Sequence, residues 1–410
     1  MSDGSPAVEQ LQARCCIAGG GPAGMMLGFL LARAGVDVIV LEKHADFFRD
    51  FRGDTIHPST LEVMHELGLL DDFLKRPHQE LRELRGWVGE EMVPVADFSH
   101  LPTRCKFVAL MPQWDFLDFI ARHAREFPSF RLRMQAEVVD LIEEGGRVAG
   151  VRAKTPQGAL DVRADVTIGA DGRHSTVRAK AGLETIDLGA PMDVLWMRLS
   201  QRPGDPKQSL GRFDPGHIFV MIDRGDYWQC AFVIPKGGFE EVKRRGLDAF
   251  RQEVAGVAPF VRDRVGEIAD WDDVRLLTVA VDRLRQWCRP GLLCIGDAAH
   301  AMSPIGGIGI NLAIQDAVAA GNILAEPLRR GPVGLDRLWA VQRRREFATR
   351  VTQRGQVLIQ NRVIGRVLTA RAQSFSSTPL PLRLLRDWPF LRRIPARLIG
   401  MGVQPEHVKA

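Results

Sequence analysis

The sequence predicts an α/β fold: a Rossmann-like nucleotide-binding domain, an inserted sheet-rich lobe and a helical C-terminal region. Three stretches predict it. Arg14–Glu42 reads as strand, glycine turn, helix, strand and acidic residue. Residues 162–178 and 292–311 each run from an apolar strand through an Asp-bearing turn into a helix. Strand–turn–helix units of this kind build a parallel sheet with its ligand site at the strand ends.

In the first stretch, Gly19, Gly21 and Gly24 form G-x-G-x-x-G directly after the apolar run Cys15–Ala18. The first glycine allows a tight turn, the second lets a pyrophosphate approach the backbone, and the third brings the helix close to the strand. The helix N-terminus then offers unpaired N–H groups and positive potential. Val36–Leu41 is a second strand, and Glu42 stands where a carboxylate bonds a ribose hydroxyl. This is the fingerprint of an adenine dinucleotide site. By itself it leaves open which dinucleotide is bound.

The chain continues with a polar loop over 44–52 and a helix over 58–69 with apolar Leu61, Met64 and Leu67. Residues 76–110 read as short strands, and a helix runs from Gln113 to Arg125. Residues 131–154 alternate like a hairpin turning at 144–146, and Val162–Gly169 is a strand. From Leu188 the character changes. Residues 194–199, 218–222 and 228–234 are β-rich, followed by a helix over 239–254. Residues 276–281 and 292–295 return to core strands, and 311–328 and 335–355 are helical. Residues 1–12 read as a disordered lead, and the segment beyond Ser374 is proline-broken, apolar and basic.

Composition narrows the class. At 410 residues, 45% hydrophobic and 26% charged, the chain has material for a large core. A net charge of +5 suits anionic ligands without indicating nucleic acid, since no basic run is interleaved with aromatics. The six cysteines form no C-x-x-C and read as buried reduced thiols of a cytoplasmic protein. The apolar N-terminal stretch is broken by glycines and carries Arg33, which argues against a signal or membrane segment.

Two further turns sharpen the dinucleotide. Gly169-Ala170-Asp171-Gly172 closes a strand, and Ser175 is a good N-cap for the next helix. Asp297 sits at the end of the strand over 292–295, and Gly306, Gly307 and Gly309 precede a long helix. Glycines of that kind allow close backbone approach to a flat ligand, and the helix N-terminus suits a ring edge that becomes anionic on reduction. The glycine spacing alone leaves open a second anion-binding turn.

Together GGGPAG, GADGRHSTVR and GDAAHAMSPIGGIGIN, in this order, resemble the single-component flavin aromatic hydroxylases related to para-hydroxybenzoate hydroxylase. The resemblance runs from about Arg14 to about Arg354. It implies FAD held along its length: Gly19, Gly21 and Gly24 at the pyrophosphate, Glu42 at the adenosine ribose, Asp297 at the ribityl–phosphate region, and Gly309, Ile310 and Asn311 at the flavin ring. It associates Asp171 with both FAD and the nicotinamide cofactor. Arg52 matches an arginine following the second strand, Gln113 a polar position contacting flavin, and Pro304 a position shaping the oxygen side. His300 reads as packing near FAD. On this reading 1–75, 111–187 and 276–360 form a discontinuous FAD-binding domain. Residues 76–110 and 188–275 form the substrate lobe, and 361–410 a basic, apolar tail.

The implied activity is hydroxylation of a phenolic, quinolone or polyketide-like aromatic by NADPH or NADH and O2, through a flavin C4a-hydroperoxide. The alternatives are a prenyl-chain reductase of similar architecture and a ubiquinone-pathway hydroxylase acting on a lipophilic substrate. Disulfide reductases need a second nucleotide domain and a cysteine pair, both missing here, and halogenases carry a Trp-x-Trp-x-Ile-Pro signature of which only Ile234-Pro235 is present. Substrate contacts are less legible: Arg198, His217 and Tyr227 are the candidates in the lobe. The tail mixes arginines with large apolar residues; docking on the body is the favoured reading, over contact with a membrane surface.

Overall fold

The computed structural model describes residues 8–48, 55–206, 209–369 and 380–409. Arg52 lies outside them. The fold is α/β, and its centre is an eight-stranded sheet. The strand Glu9–Ala18 pairs in parallel with Val38–Leu41 on one side and Gly158–Gly169 on the other. Phe130–Arg133 extends the sheet past Val38–Leu41, and Leu292–Cys294 extends it past Gly158–Gly169. The hairpin Glu137–Glu144/Arg147–Thr155 hangs antiparallel from the first half of Gly158–Gly169. The first strand begins at Glu9, earlier than its apolar run suggests, because Glu9–Ala13 gain backbone partners in Leu160–Ala164. That part of the expected lead is ordered sheet.

The helix Pro22–Arg33 is buried along nearly its whole length between this sheet and the long helix Gly309–Arg330. Gly321 is the contact point: a Cβ there would meet the Leu30 side chain at 3.3 Å. The segment Ile305–Arg330 is long and apolar enough to cross a membrane, but 72% of its most apolar window is buried inside the protein. It is a core helix. All six cysteines are buried, and burial pushes the Cys16 thiol up to about 12 and the Cys288 thiol up to about 11.

A seven-stranded sheet forms the second layer. It joins the hairpin Glu83–Val88/Glu91–Asp97 to the strands Leu210–Asp214, His217–Asp223, Tyr227–Pro235, Met192–Ser200 and Arg275–Leu277. Two of these elements differ from the sequence reading. Arg275–Leu277 is the edge of this sheet and does not return to the core, with Leu276 exposed. The helix expected over 239–254 is two, Phe239–Arg245 and Leu247–Val257, because Gly246 turns left-handed between them (φ 90°). These helices cover one face of the sheet through Phe250 and Val254. The other face carries Trp196, Phe213 and Val220 in an apolar cluster with Ile305, from the turn ahead of the long helix.

The tail packs on the body. Helices Leu380–Asp387 and Arg393–Gly400 lie against the strand Glu91–Asp97, and Ala396 and Met401 share a cluster with Phe98 and Leu101. Beyond them the chain is stapled to the nucleotide layer. The Gln315 amide donates to Met401 O (3.3 Å), the Asn322 amide to His407 O (2.8 Å), and the Glu66 carboxylate accepts from Val408 N–H (2.7 Å).

Candidate cofactor site

Four parallel strands, Glu9–Ala18, Val38–Leu41, Gly158–Gly169 and Leu292–Cys294, end on the same edge of the large sheet. Backbone bonds tie their exits together. Gly19 N–H donates to Leu41 O (2.8 Å), Ala170 N–H to Ala18 O (2.8 Å), and Ile295 N–H to Gly169 O (2.9 Å). This is the edge at which an open α/β sheet presents its ligand.

The three motif glycines have different surroundings. Gly19 is left-handed (φ 105°), and a Cβ there would stand 2.3 Å from the Ala170 carbonyl oxygen. At Gly24 a Cβ would stand 1.9 Å from the Gly19 carbonyl oxygen. The protein's own packing demands both glycines. At Gly21 a Cβ would meet nothing within 4 Å. Gly21 is the N-cap of Pro22–Arg33, so the open space lies where the unpaired amides of a helix start. Glu42 is buried beside this turn. Its Oε2 accepts from Gly20 N–H (2.9 Å) and its Oε1 from His44 N–H (3.1 Å).

Asp171 folds back on its own turn. Its Oδ1 accepts from the Ser175 hydroxyl (2.5 Å) and its Oδ2 from Val177 N–H (3.0 Å). Burial raises its carboxyl above the usual range, against the pull of those hydrogen bonds. Ser175 in turn accepts from Arg178 N–H (2.9 Å) and caps the short helix Thr176–Lys180. Asp297 is one-third exposed, and the Arg173 guanidinium lies 3.7 Å from it, linking the Asp171 turn to the Asp297 turn.

The last piece is the turn before the long helix. Gly306 (φ 76°) and Gly307 (φ 63°) are consecutive left-handed residues, and the Thr55 hydroxyl donates to Gly307 O (2.8 Å). Gly309, first residue of the helix, has open space where a Cβ would be. Ile310 is largely buried. Asn311 is buried too and fully engaged: its Oδ1 accepts from His57 N–H (2.8 Å) and the Thr60 hydroxyl (2.7 Å), and its Nδ2 donates to Thr55 O (3.1 Å). Only its backbone is left to meet a ligand. Pro304 is exposed at the start of the turn, and Gln113 opens the helix Gln113–Ala124, half-buried.

The site therefore offers an open backbone at Gly21, a buried acid at Glu42, a one-third-exposed carboxylate at Asp297, and a second open helix start at Gly309. That set fits an extended dinucleotide carrying a flat ring. The matching family model, described as an FAD binding domain, covers residues 12–355. The chain belongs to this family of FAD-dependent monooxygenases. The flavoprotein is 34% identical to 6-methylpretetramide 4-monooxygenase of Streptomyces rimosus over 93% of both chains. It shares its fold with p-nitrophenol 4-monooxygenase PnpA of Pseudomonas putida (TM-score 0.73, 21% identity, 96% of this chain and 99% of that one). It shares its fold equally with the flavin-dependent brominase Bmp2 (TM-score 0.74, 18% identity, 95% and 93%). The fold alone thus spans more than one oxidative chemistry.

The lobe candidates divide between two faces. Arg198 pairs across strands with Gln229, and Tyr227 with Ser200, on the face that carries Trp196 and Ala231. The Arg198 guanidinium sits 4.8 Å above the Tyr227 ring. His217 lies on the opposite face, its ring against Phe232 (5.9 Å) and its Nδ1 3.2 Å from Pro215 O. The structure brings Arg198 and Tyr227 together and leaves His217 apart from them.

Sequence reasoning passed over the supports beneath the Asp297 and Gly306–Gly307 turns. Asp316 is fully buried and accepts from Gly296 N–H (3.0 Å), pairs with His300 Nε2 (2.6 Å), and accepts from Arg345 Nε (3.0 Å). Burial alone would raise its carboxyl, but His300 and Arg345 hold it below the usual range. The helix Leu335–Ile359 adds a row of buried polar residues: Gln342, Arg345, Thr349, Gln353 and Gln356, continued by Gln360. Gln356 donates to Ser303 O (3.0 Å) and Ile305 O (3.0 Å) and accepts from Ser303 N–H (3.1 Å). Their signal was available: polar residues repeat at three- and four-residue steps along one stripe.

Proposed function

We propose that the flavoprotein hydroxylates a polycyclic aromatic of the polyketide type, consuming NADPH or NADH and O2. The observation that carries this reading is the 34% identity with 6-methylpretetramide 4-monooxygenase along 93% of both chains. A bound FAD supplies hydride acceptance and oxygen activation, one oxygen atom entering the ring and the other leaving as water. The protein's part is to bind, orient and exclude water.

Gly19, Gly21 and Gly24 with the start of Pro22–Arg33 hold the pyrophosphate, and Glu42 the adenosine ribose. Asp297, steadied by Arg173, meets the ribityl–phosphate region. The backbone amides of Gly309, Ile310 and Asn311 face the ring edge on which reduction places negative charge. Pro304 shapes the oxygen side, Asp171 holds the turn shared with the nicotinamide approach, and Gln113 lines the flavin. The apolar sheet face with Trp196, Phe213 and Val220 roofs the ring and keeps water out. Arg198 and Tyr227 receive a phenolate or carboxylate of the substrate.

The test is turnover of 6-methylpretetramide and related tetracyclic phenols under oxygen-18 gas. Product carrying one label, formed with stoichiometric nicotinamide oxidation, is expected. Product with no label refutes the hydroxylase reading.

A further inference from the structure

The tail's inner side is held firmly to the body. A Cβ on Gly400 would meet Leu101 at 2.7 Å, and Ile399 O lies 2.7 Å from His57 Nδ1. Arg386 pairs with Glu91, while Arg392 donates to Leu385 O and Arg386 O (both 2.7 Å). The outer side is therefore presented in a fixed orientation, and it is strongly apolar. Leu380, Leu384 and Trp388 repeat at steps of four, as do Phe390, Ile394 and Leu398; these side chains are 42–60% exposed. They account for six of the thirteen large apolar side chains exposed among the described residues, gathered into 19 residues. Such a concentration marks an interaction surface.

The charge beside it is predominantly positive. Arg383, Arg393 and Arg397 are exposed, each directly preceding an apolar member of the stripe, and no acidic residue occurs from Trp388 to Pro405. The single acid of the outer face, Asp387, is paired with Arg386. At the elbow between the two helices the Trp388 and Phe390 rings touch (5.7 Å).

We propose that the outer face of residues 380–400 docks on an anionic lipid bilayer. Large apolar side chains enter the acyl boundary, arginines meet the headgroup phosphates, and aromatics at the elbow sit at the interface. A second copy of the chain fits poorly. A two-fold contact would set these arginines against their own images without a counter-charge. The same segment touches the flavin turn: a Cβ on Gly306 would lie 3.8 Å from Ile399. A bilayer-docked enzyme would thus hold its flavin turn next to the lipid surface, where apolar polycyclic rings concentrate.

The test is co-sedimentation of the FAD-loaded 410-residue chain with phosphatidylcholine vesicles, with and without phosphatidylglycerol. Binding to the anionic vesicles is expected to exceed binding to neutral ones by ~10-fold or more and to fall with added salt. Ile394→Glu/Leu398→Glu and Arg393→Glu/Arg397→Glu are each expected to lower it ~10-fold or more. All four side chains are exposed, so flavin content and near-UV dichroism should not change. A wild-type chain that stays in the supernatant with anionic vesicles overturns the proposal. So does equal binding to neutral vesicles, or variants that bind as wild type does. A dimer in sedimentation equilibrium that Ile394→Glu dissociates, without vesicle binding, reassigns the surface to a second copy.

Discussion

At Gly21 the space for a side chain is empty, whereas at Gly24 it is filled by the backbone of Gly19. The two glycines belong to one motif, yet they answer to different masters. The fold itself requires Gly24, whereas nothing in the protein's packing requires Gly21. Gly21→Val should therefore fold with a stability within roughly 0.5 kcal/mol of the apoprotein, yet fail to retain FAD. Gly24→Ala should lose more than about 2 kcal/mol whether or not FAD is present. Urea unfolding of both apoproteins, with absorbance for bound flavin, separates them; a Gly21→Val protein that purifies yellow would contradict the assignment. The same distinction applies to Asn311. The motif points to it as a flavin residue, but its amide is spent on Thr55, His57 and Thr60. Its side chain ties the helix start to Thr55, His57 and Thr60 and leaves only its backbone open there. Motif matching points to such a residue and leaves its job undecided, because one spacing serves both.

Among elements, the helix Leu335–Ile359 was legible as a helix and illegible in purpose. A polar stripe on a long helix ordinarily faces water. Here Gln353 donates to Asp282 O and Ala301 O, and Gln356 bonds Ser303 and Ile305, so the stripe faces inward and holds the loop leading to the glycine turn at Gly306 and Gly307. Nothing local to the helix reveals this, since its partners come from residues 282–305. Gln356→Leu leaves two carbonyls and an N–H buried without partners and should cost about 2–4 kcal/mol. FAD affinity should fall with it, because Pro304–Gly307 loses its tether; unfolding curves and FAD titration on one preparation measure both. A second element-scale consequence comes from His57, which opens the helix Pro58–Glu66 and meets Ile399 of the tail. Burial lowers its pKa from 6.5 to about 4, only partly opposed by the hydrogen bond to Ile399. The unfolded chain binds this proton first, so the contribution is present above pH 6.5 and lost as pH falls towards 4. The loss is on the order of 3 kcal/mol. His57→Gln should flatten the pH dependence of urea midpoints across that window relative to wild type.

Across the whole molecule, what was legible is what is local. The three strand–turn–helix units carry their signals within about twenty residues each, the reach of one βα unit. The seven-stranded sheet joins Glu83–Asp97 to strands more than a hundred residues later, and the tail reaches back to Glu66 and Gln315. Such pairings leave no local trace. One buried path carries this closure. Arg345 lies between the Asp316 and Glu406 carboxylates, donating to Asp316 Oδ1 (3.0 Å), Glu406 Oε1 (3.1 Å) and Gln404 O (2.9 Å). Asp316 in turn holds Gly296 N–H, one residue before Asp297. The end of the chain is thereby connected to the Asp297 turn. Arg345→Met removes the guanidinium that, among the described residues, bridges both acids, leaving Asp316 to His300 and Glu406 to Arg344, and should cost about 3–5 kcal/mol. Arg345→Met/Glu406→Gln should cost less than the sum of the two single variants, because they remove one shared interaction. FAD affinity should drop in the Arg345 variant even under conditions where its fold is intact. Because the Asp316 carboxyl is held below its ordinary value, the wild-type contribution persists above the ordinary carboxylate pKa and fades as pH falls through the lower folded value. A double-mutant cycle by urea unfolding, with FAD titration at neutral pH, tests the path. Additive costs, or an Arg345→Met protein within about 1 kcal/mol of wild type, would show that the tail closes the molecule without reaching the Asp297 turn.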